Sequence, residues 1–254
     1  MYNLYHIVLY QPIYNFFVWL YNIIPGHDVG IAIILLTFFV RLILYPLTRA
    51  SLKSQKAMQE LQPKMEEVKK QFATDQQKQT QAIMELYKTN KVNPFSSCLP
   101  ILIQLPILIA LYSVMRNGLM SKDLAKDLYS FVANPQVINP LSLGFFDMSK
   151  SNVVLAVLAG AAQFWQAKTL VRQQPPKNAG AGAKDEGMAA MMNKQMLYMM
   201  PIMTVVIGMS LPAGLALYWL FSTLFTVFQQ IYMFKKPEAG TPAAPGAIEG
   251  TIVK

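Results

Sequence analysis

Residues 30–48, GIAIILLTFFVRLILYPLT, form an apolar run with one arginine, Arg41, set inside it. About 20 apolar residues at roughly 1.5 Å each cross a hydrocarbon core of about 30 Å. If the span ends near Thr48, Arg41 lies about two turns, roughly 10 Å, from that end. Burying a guanidinium at such depth costs from about 2.5 to 17 kcal/mol, depending on how far water and headgroups follow it in. Two readings are open. Arg41 is a cation snorkelling to a helix end, or it faces a wet cavity inside the protein.

The remainder of the chain belongs to the same environment. Of its 254 residues 54% are hydrophobic and only 14% are charged. That balance excludes an ordinary soluble domain and fits a polytopic membrane protein. The net charge is +9, but the basic residues cluster between apolar runs. Such clusters mark cytoplasmic loops and contact with anionic lipid, not DNA binding. Cys98 is the sole cysteine, so no intrachain disulfide and no cysteine-rich metal site is expected. No small-residue cleavage site follows a basic stretch at the start, and no early cysteine offers a lipidation site.

Residues 1–25 are aromatic and apolar, interrupted centrally by Gln11, Pro12 and Asn15. Apolar residues recur at Phe16, Phe17, Leu20, Ile23 and Ile24, a stripe at helical spacing. A sixth span fits the composition. The interruption and the Tyr/Trp density favour an amphipathic helix lying in the headgroup zone.

Five spans follow, at about 30–48, 94–115, 152–171, 194–210 and 215–234. Between the first two, residues 49–91 hold nine of the 22 basic residues against five acidic ones. The positive-inside rule places this loop in the cytoplasm and the N-terminus outside. Met58, Leu61, Met65, Val68 and Phe72 follow a 3-4-3-4 spacing, and Ile83, Leu86 and Tyr87 share one side of a second helix. The spacing predicts a helical hairpin over 51–91, turning near 73–76, with Thr74 and Gln77 as a capping box and Pro63 kinking the first arm.

The second span carries Gln104 between Pro100 and Pro106, a polar residue that either bonds a neighbouring helix or lines a cavity. Residues 117–150 balance their lysines with aspartates, as an outer loop allows. The third span carries Gln163 and Gln166. A Pro/Gly/Ala-rich linker leads to the fourth span, and eight methionines fall between Met188 and Met209. Ordinary gap-filling in a core is the default for these; their flexible side chains also suit varied apolar partners. Lys235 and Lys236 stop the fifth span on the inside, and residues 237–254 read as a disordered cytoplasmic tail.

Catalytic sets are absent from the pattern. The two histidines, His6 and His27, lie near the start, no span holds a carboxylate pair, and no phosphate-cradling glycine loop occurs. No enzyme, cofactor or metal site is therefore expected. A transporter would show repeated halves or intramembrane acids, and Arg41 has no acidic partner within any span. A small-molecule or lipid carrier using one intramembrane cavity remains the competing reading.

Val40 to Pro46, Met58 to Pro63, Asn93-Pro94, CLPILIQLP from Cys98 to Pro106, MMPIM from Met199 to Met203, PAGLALYW from Pro212 to Trp219, and Gln229-Gln230 occur here in one order. Together they resemble the YidC/Oxa/Alb membrane protein insertases, in the short bacterial form. The resemblance covers roughly Gly30 to Lys236. It implies an all-α membrane protein: a five-transmembrane-helix bundle around a hydrophilic groove, open to the cytoplasm and sideways to lipid, with a cytoplasmic helical hairpin that receives substrate.

On that match the groove residues are Arg41, Gln104 and Trp219, with Thr37, Tyr45, Gln163, Thr204 and Ser222 as further candidate lining. Nascent membrane-protein substrates, the Sec translocon, the ribosome and membrane lipids are the implied partners, in the bacterial inner membrane. The match departs from larger members in lacking a big extracytoplasmic domain and an extra leading span. The short, weakly basic tail argues against tail-based ribosome docking. The missing early cysteine differs from lipoprotein members.

Overall fold

The computed structural model describes residues 2–93, 99–120, 125–171 and 195–235. The start of the second expected span at 94–98, the linker, Lys194, Lys236 and the tail lie outside the described residues. The described residues are mostly helical. Helix α1 (Tyr2–Tyr5) continues through a π-helical turn (His6–Tyr10) into α2 (Gln11–Ile23). Then come α3 (Val29–Ile43), α4 (Tyr45–Gln71), α5 (Gln76–Thr89) and α6 (Leu99–Met120). Strands β1 (Leu141–Ser142) and β2 (Phe146–Asp147) make a small antiparallel hairpin. Helix α7 (Val153–Val171) follows. A second π turn (Gln195–Met199) leads into α8 (Met200–Ser210), and α9 (Ala213–Lys235) closes the described chain.

By length and apolarity, Val153–Leu170 and Ala213–Phe234 can each cross a membrane, and the bent pair α3–α4 makes a third candidate. The apolar segments Leu102–Gly118 and Leu197–Ser210 are shorter. The first span does not run straight to Thr48 as expected. The chain bends by 66° between α3 and α4. Pro46 is the cause: it has no N–H to give the carbonyl of Leu42, and its ring crowds that carbonyl. Past the bend, the Thr48 N–H bonds the Leu44 carbonyl at 2.9 Å, so helix resumes in a new direction. The first hairpin arm is therefore the continuation of the span. Pro63 sits inside α4 without ending it.

The hairpin turn falls at 72–75. Its cap differs from the expected Thr74–Gln77 box: Asp75 is the N-cap, its Oδ1 accepting from the Lys78 N–H at 3.0 Å. A carboxylate both accepts that bond and favours the positive helix end. Of the apolar seam, Leu61 is buried, while Met58, Met65, Val68, Phe72, Ile83 and Leu86 are half-buried. Tyr87 Oη donates to Met65 Sδ at 3.4 Å across the two arms. At the root of the hairpin, Thr48 and Gln229 of α9 form a buried hydrogen-bonded pair at 3.1–3.2 Å.

The core joins α2, α3, α6 and α9 through Tyr14, Phe17, Val18, Ile33, Leu36, Leu111, Val114, Met115 and Leu215. Helix α9 also packs along α7, and α7 along α8. Small residues set that last approach: Gly208 faces Ala156, and Gly160 faces Val205 and the Pro201 carbonyl. Without a hydrophobic drive between helices in lipid, close packing of this kind is what holds them. Met199, Met200, Met203 and Met209 stand on the exposed face of the fourth helical segment. For these four, gap-filling of a core is corrected: the buried residues of α8 are Pro201, Thr204 and Gly208.

Asn15, which interrupts the apolar pattern of the first segment, is a buried junction. Its side chain donates to the Asp127 carbonyl at 2.8 Å and accepts from the Tyr129 N–H at 2.6 Å. Asn22 donates to the Ala133 carbonyl at 2.7 Å, and Tyr21 Oη accepts from the Asn139 N–H at 3.0 Å. The first helical segment is thus tied to the loop between α6 and α7.

That loop is pinned again by Asp28, the N-cap of α3. Its carboxylate accepts from the Ile31 N–H at 3.0 Å, Ser142 Oγ at 2.6 Å and the Leu143 N–H at 2.6 Å. Gly30 permits the approach, because a Cβ there would collide with Ser142. Leu143 and Gly144 both have positive φ, 51° and 80°. This is the pattern of a type I′ turn. A left-handed leucine costs about 1–2 kcal/mol, and the Asp28 bonds help hold it there.

Desolvation pushes the Asp28 carboxyl up, but the Leu143 N–H, the Ser142 hydroxyl and the N–H groups of Ile31 and Gly30 together hold it below its ordinary value. Asp147 falls further, to about 2, through Ser149 and Lys150. Both folded values lie below the unfolded ones, so the stability they contribute is full above about pH 4 and is lost as pH falls toward about 2. Limited proteolysis of the 125–150 loop is expected to accelerate across that window. Cleavage unchanged from pH 6 to 2 would contradict it.

Candidate functional site

Arg41 lies in the last turn of α3, at the depth where α6 and α9 converge on it. Its Nε donates to Ser222 Oγ at 2.7 Å, and Nη2 donates both to Ser222 Oγ and to Gln104 Oε1, the latter at 3.2 Å. Gln104 Nε2 in turn donates to Tyr218 Oη at 2.9 Å. One cation from α3, one amide from α6 and two hydroxyls from α9 make a single network. Among the described residues no carboxylate pairs with Arg41.

The local sequence explains the convergence. Tyr218 and Ser222 are four residues apart, so one face of α9 presents both. Gln104 sits within α6, whose Pro106 loosens the backbone ladder without ending the helix. Ser222 and Tyr218 are buried, while Arg41 and Gln104 keep partial exposure. A guanidinium has five N–H donors. Those on Nη1 make no hydrogen bond among the described residues. The positive charge is steadied by neutral groups and, among the described residues, left uncancelled.

The other sequence candidates fall around this network. Thr37 is buried one turn away on α3, its hydroxyl donating to the Ile33 carbonyl at 2.6 Å. Tyr45 is half-buried just past the bend, and Trp219 is half-buried beside Tyr218. Thr204 is buried on α8 with its hydroxyl on the Met200 carbonyl at 3.0 Å, and Gln163 is half-buried on α7. None of these five bonds to Arg41, Gln104, Ser222 or Tyr218.

Tyr218 is the residue that sequence reading missed. A tyrosine in an apolar helix reads as core. Its spacing from Ser222 is the signal that marks it. Among the described residues, no group of histidine, cysteine and carboxylates could hold a metal.

The family model described as 60Kd inner membrane protein matches residues 19–239. A protein of Fusobacterium nucleatum named membrane protein insertase YidC is 37% identical over 230 residues, covering 90% of this chain and 98% of that one. One of the same name from Oceanobacillus iheyensis is 37% identical, over 85% of this chain and 80% of the relative. Another, from Magnetococcus marinus, is 35% identical over 84% of this chain but only 33% of its own length.

Proposed function

Because the chain belongs to the 60Kd inner membrane protein family and is a bacterial inner-membrane insertase, not an enzyme, we propose that the Arg41 network is where it receives its passengers. Hydrophobic segments of nascent membrane proteins enter a hydrophilic groove open to the cytoplasm and leave sideways into lipid. The observation that carries this reading is the uncancelled charge of Arg41, held by Gln104 and Ser222 with N–H donors to spare.

A wet notch shortens the hydrocarbon a passenger must cross, and the cation draws an acidic or polar tail part-way in. The apolar helix then partitions into lipid, each buried large side chain contributing about 1.5–3 kcal/mol. No nucleotide is consumed. Trp219, Thr37 and Tyr45 are the network's nearest lining in sequence, with Gln163 on α7 and Thr204 on α8 as further lining.

The proposed arrangement has five spans within 26–236, counting α6 and α8 as the second and fourth. Residues 1–25 lie at the outer interface, a placing supported by their bonds to the α6–α7 loop. The basic hairpin of 51–91 and the tail at 237–254 are cytoplasmic, so the N-terminus is outside. The hairpin hands passengers to the groove. The Sec translocon, the ribosome and anionic lipid are its proposed partners.

A photocrosslinker at Gln104 tests the site, with one at the exposed neighbour Leu105 as the lipid-facing control. Nascent chains are expected to be captured at 104 during translation, and lipid at 105. Lipid alone at both positions would favour a lipid or small-molecule carrier instead.

A further inference from the structure

The outer β-hairpin ends in an apolar tip. Leu143 is 63% exposed and Phe145 68% exposed, although both are large apolar side chains. The pairing of Ser142 with Phe146 leaves a three-residue loop, and a turn with positive φ at both central residues is ordinarily Asn-Gly or Asp-Gly. Here leucine occupies the first position, in a conformation that favours glycine or asparagine. Polar residues would suit the backbone better, so the turn keeps leucine against local preference.

The tip is also fixed in place. Asp28 holds Ser142 and the Leu143 N–H against the first turn of α3. At the other end of the hairpin, the Met148 and Lys150 carbonyls accept from the N–H groups of Gly214 and Ala213, at 3.0 and 2.7 Å, at the start of α9. Phe146 packs on the core while Phe145, its ring centroid 4.3 Å away, faces out. The hairpin therefore sits at one height relative to the helices it caps. Exposed apolar residues follow close by in the chain: Ile31 comes three residues after Asp28, which holds Leu143, and Val153 and Val154 come in the first turn of α7, soon after β2.

We propose that the Leu143–Phe145 tip is a lipid anchor, held rigidly so that it dips into the headgroup–acyl boundary of the outer leaflet. Its occupant is lipid because the exposed apolar surface of the helices runs up to it, and a leucine and a phenylalanine suit that boundary. The anchor fixes the depth of the outer end of α3 while the inner end carries the hairpin. This rests on the reading that α3, α7 and α9 span the bilayer with the β-hairpin outside.

The test uses the full chain with Cys98→Ser, which removes the sole cysteine. Phe145→Cys and, separately, Val157→Cys on the exposed face of α7 are labelled with a nitrobenzoxadiazole fluorophore. Each is reconstituted in phosphatidylcholine–phosphatidylglycerol vesicles carrying lipid spin-labelled near the headgroup or deep in the chain. Position 145 is expected to be quenched at least twofold by the shallow spin label and to be shielded from iodide. Position 157 is expected to be quenched by spin-labelled lipid. Iodide quenching at 145 without lipid quenching, while 157 responds to lipid, overturns the anchor and leaves the spanning reading intact. Failure of 157 to respond to either lipid probe overturns the spanning reading, and the anchor with it.

Discussion

Replacing Arg41 with alanine is expected to lower insertion of passengers with acidic tails about tenfold, and of passengers with neutral tails far less. A carboxylate about 4 Å from the guanidinium gains about 1 kcal/mol in water and about 4 kcal/mol at an effective dielectric of 20. A wet groove lies near the lower end, and about 1.4 kcal/mol is tenfold. Arg41→Lys keeps the charge but loses the planar fork that engages Ser222 and Gln104 together. It should retain most insertion of acidic passengers. The measurement is insertion into proteoliposomes of one passenger whose tail carries zero, one or two aspartates. Parallel loss for all three tails would remove the electrostatic role and leave Arg41 a packing residue.

The second large effect concerns stability. Gly160→Val should destabilise the pairing of α7 with α8 by about 1–3 kcal/mol, the usual cost of overpacking. A Cβ at 160 meets the stiff side chain of Val205 and lies 3.1 Å from the Pro201 carbonyl, which is backbone and yields little. Thermal unfolding in detergent should fall by several degrees, at about 2–4 °C per kcal/mol for a chain of this size. Adding Val205→Ala opens space for the new side chain and should recover part of the loss. An unchanged midpoint for Gly160→Val would mean that α8 slides freely along α7.

Arg41 and Gln104 were legible in the sequence because a cation and an amide inside apolar runs have few bland explanations. Ser222 was legible more weakly, as a hydroxyl on a helix whose face was unknown. Tyr218 was not, since an aromatic side chain gives the same signal whether it fills a core or lends its hydroxyl.

The bend after Ile43 was hidden for a different reason. Pro46 falls inside the run expected to span at about 30–48, and only the fold shows that the chain bends there and continues as α4. The β-hairpin has two residues per strand, too few for alternation to register, and Leu143-Gly144 lacks the usual turn chemistry. Asn15 looked like an interruption because its partners, the Asp127 carbonyl and the Tyr129 N–H, are more than a hundred residues away.

The bend at Leu44 carries a mechanical consequence. Helix α4 runs for 27 residues past the bend, so it is an arm about 40 Å long pivoted at Leu44. A rotation of only 10° at its root sweeps the far tip through about 7 Å, roughly the width of a helix backbone. The Thr48–Gln229 bond sits almost at the fulcrum, where small displacements govern large ones. On the proposed reading, a push at the far end of α4 thus arrives at the Thr48–Gln229 bond reduced in travel and increased in force, as at the short end of a crowbar.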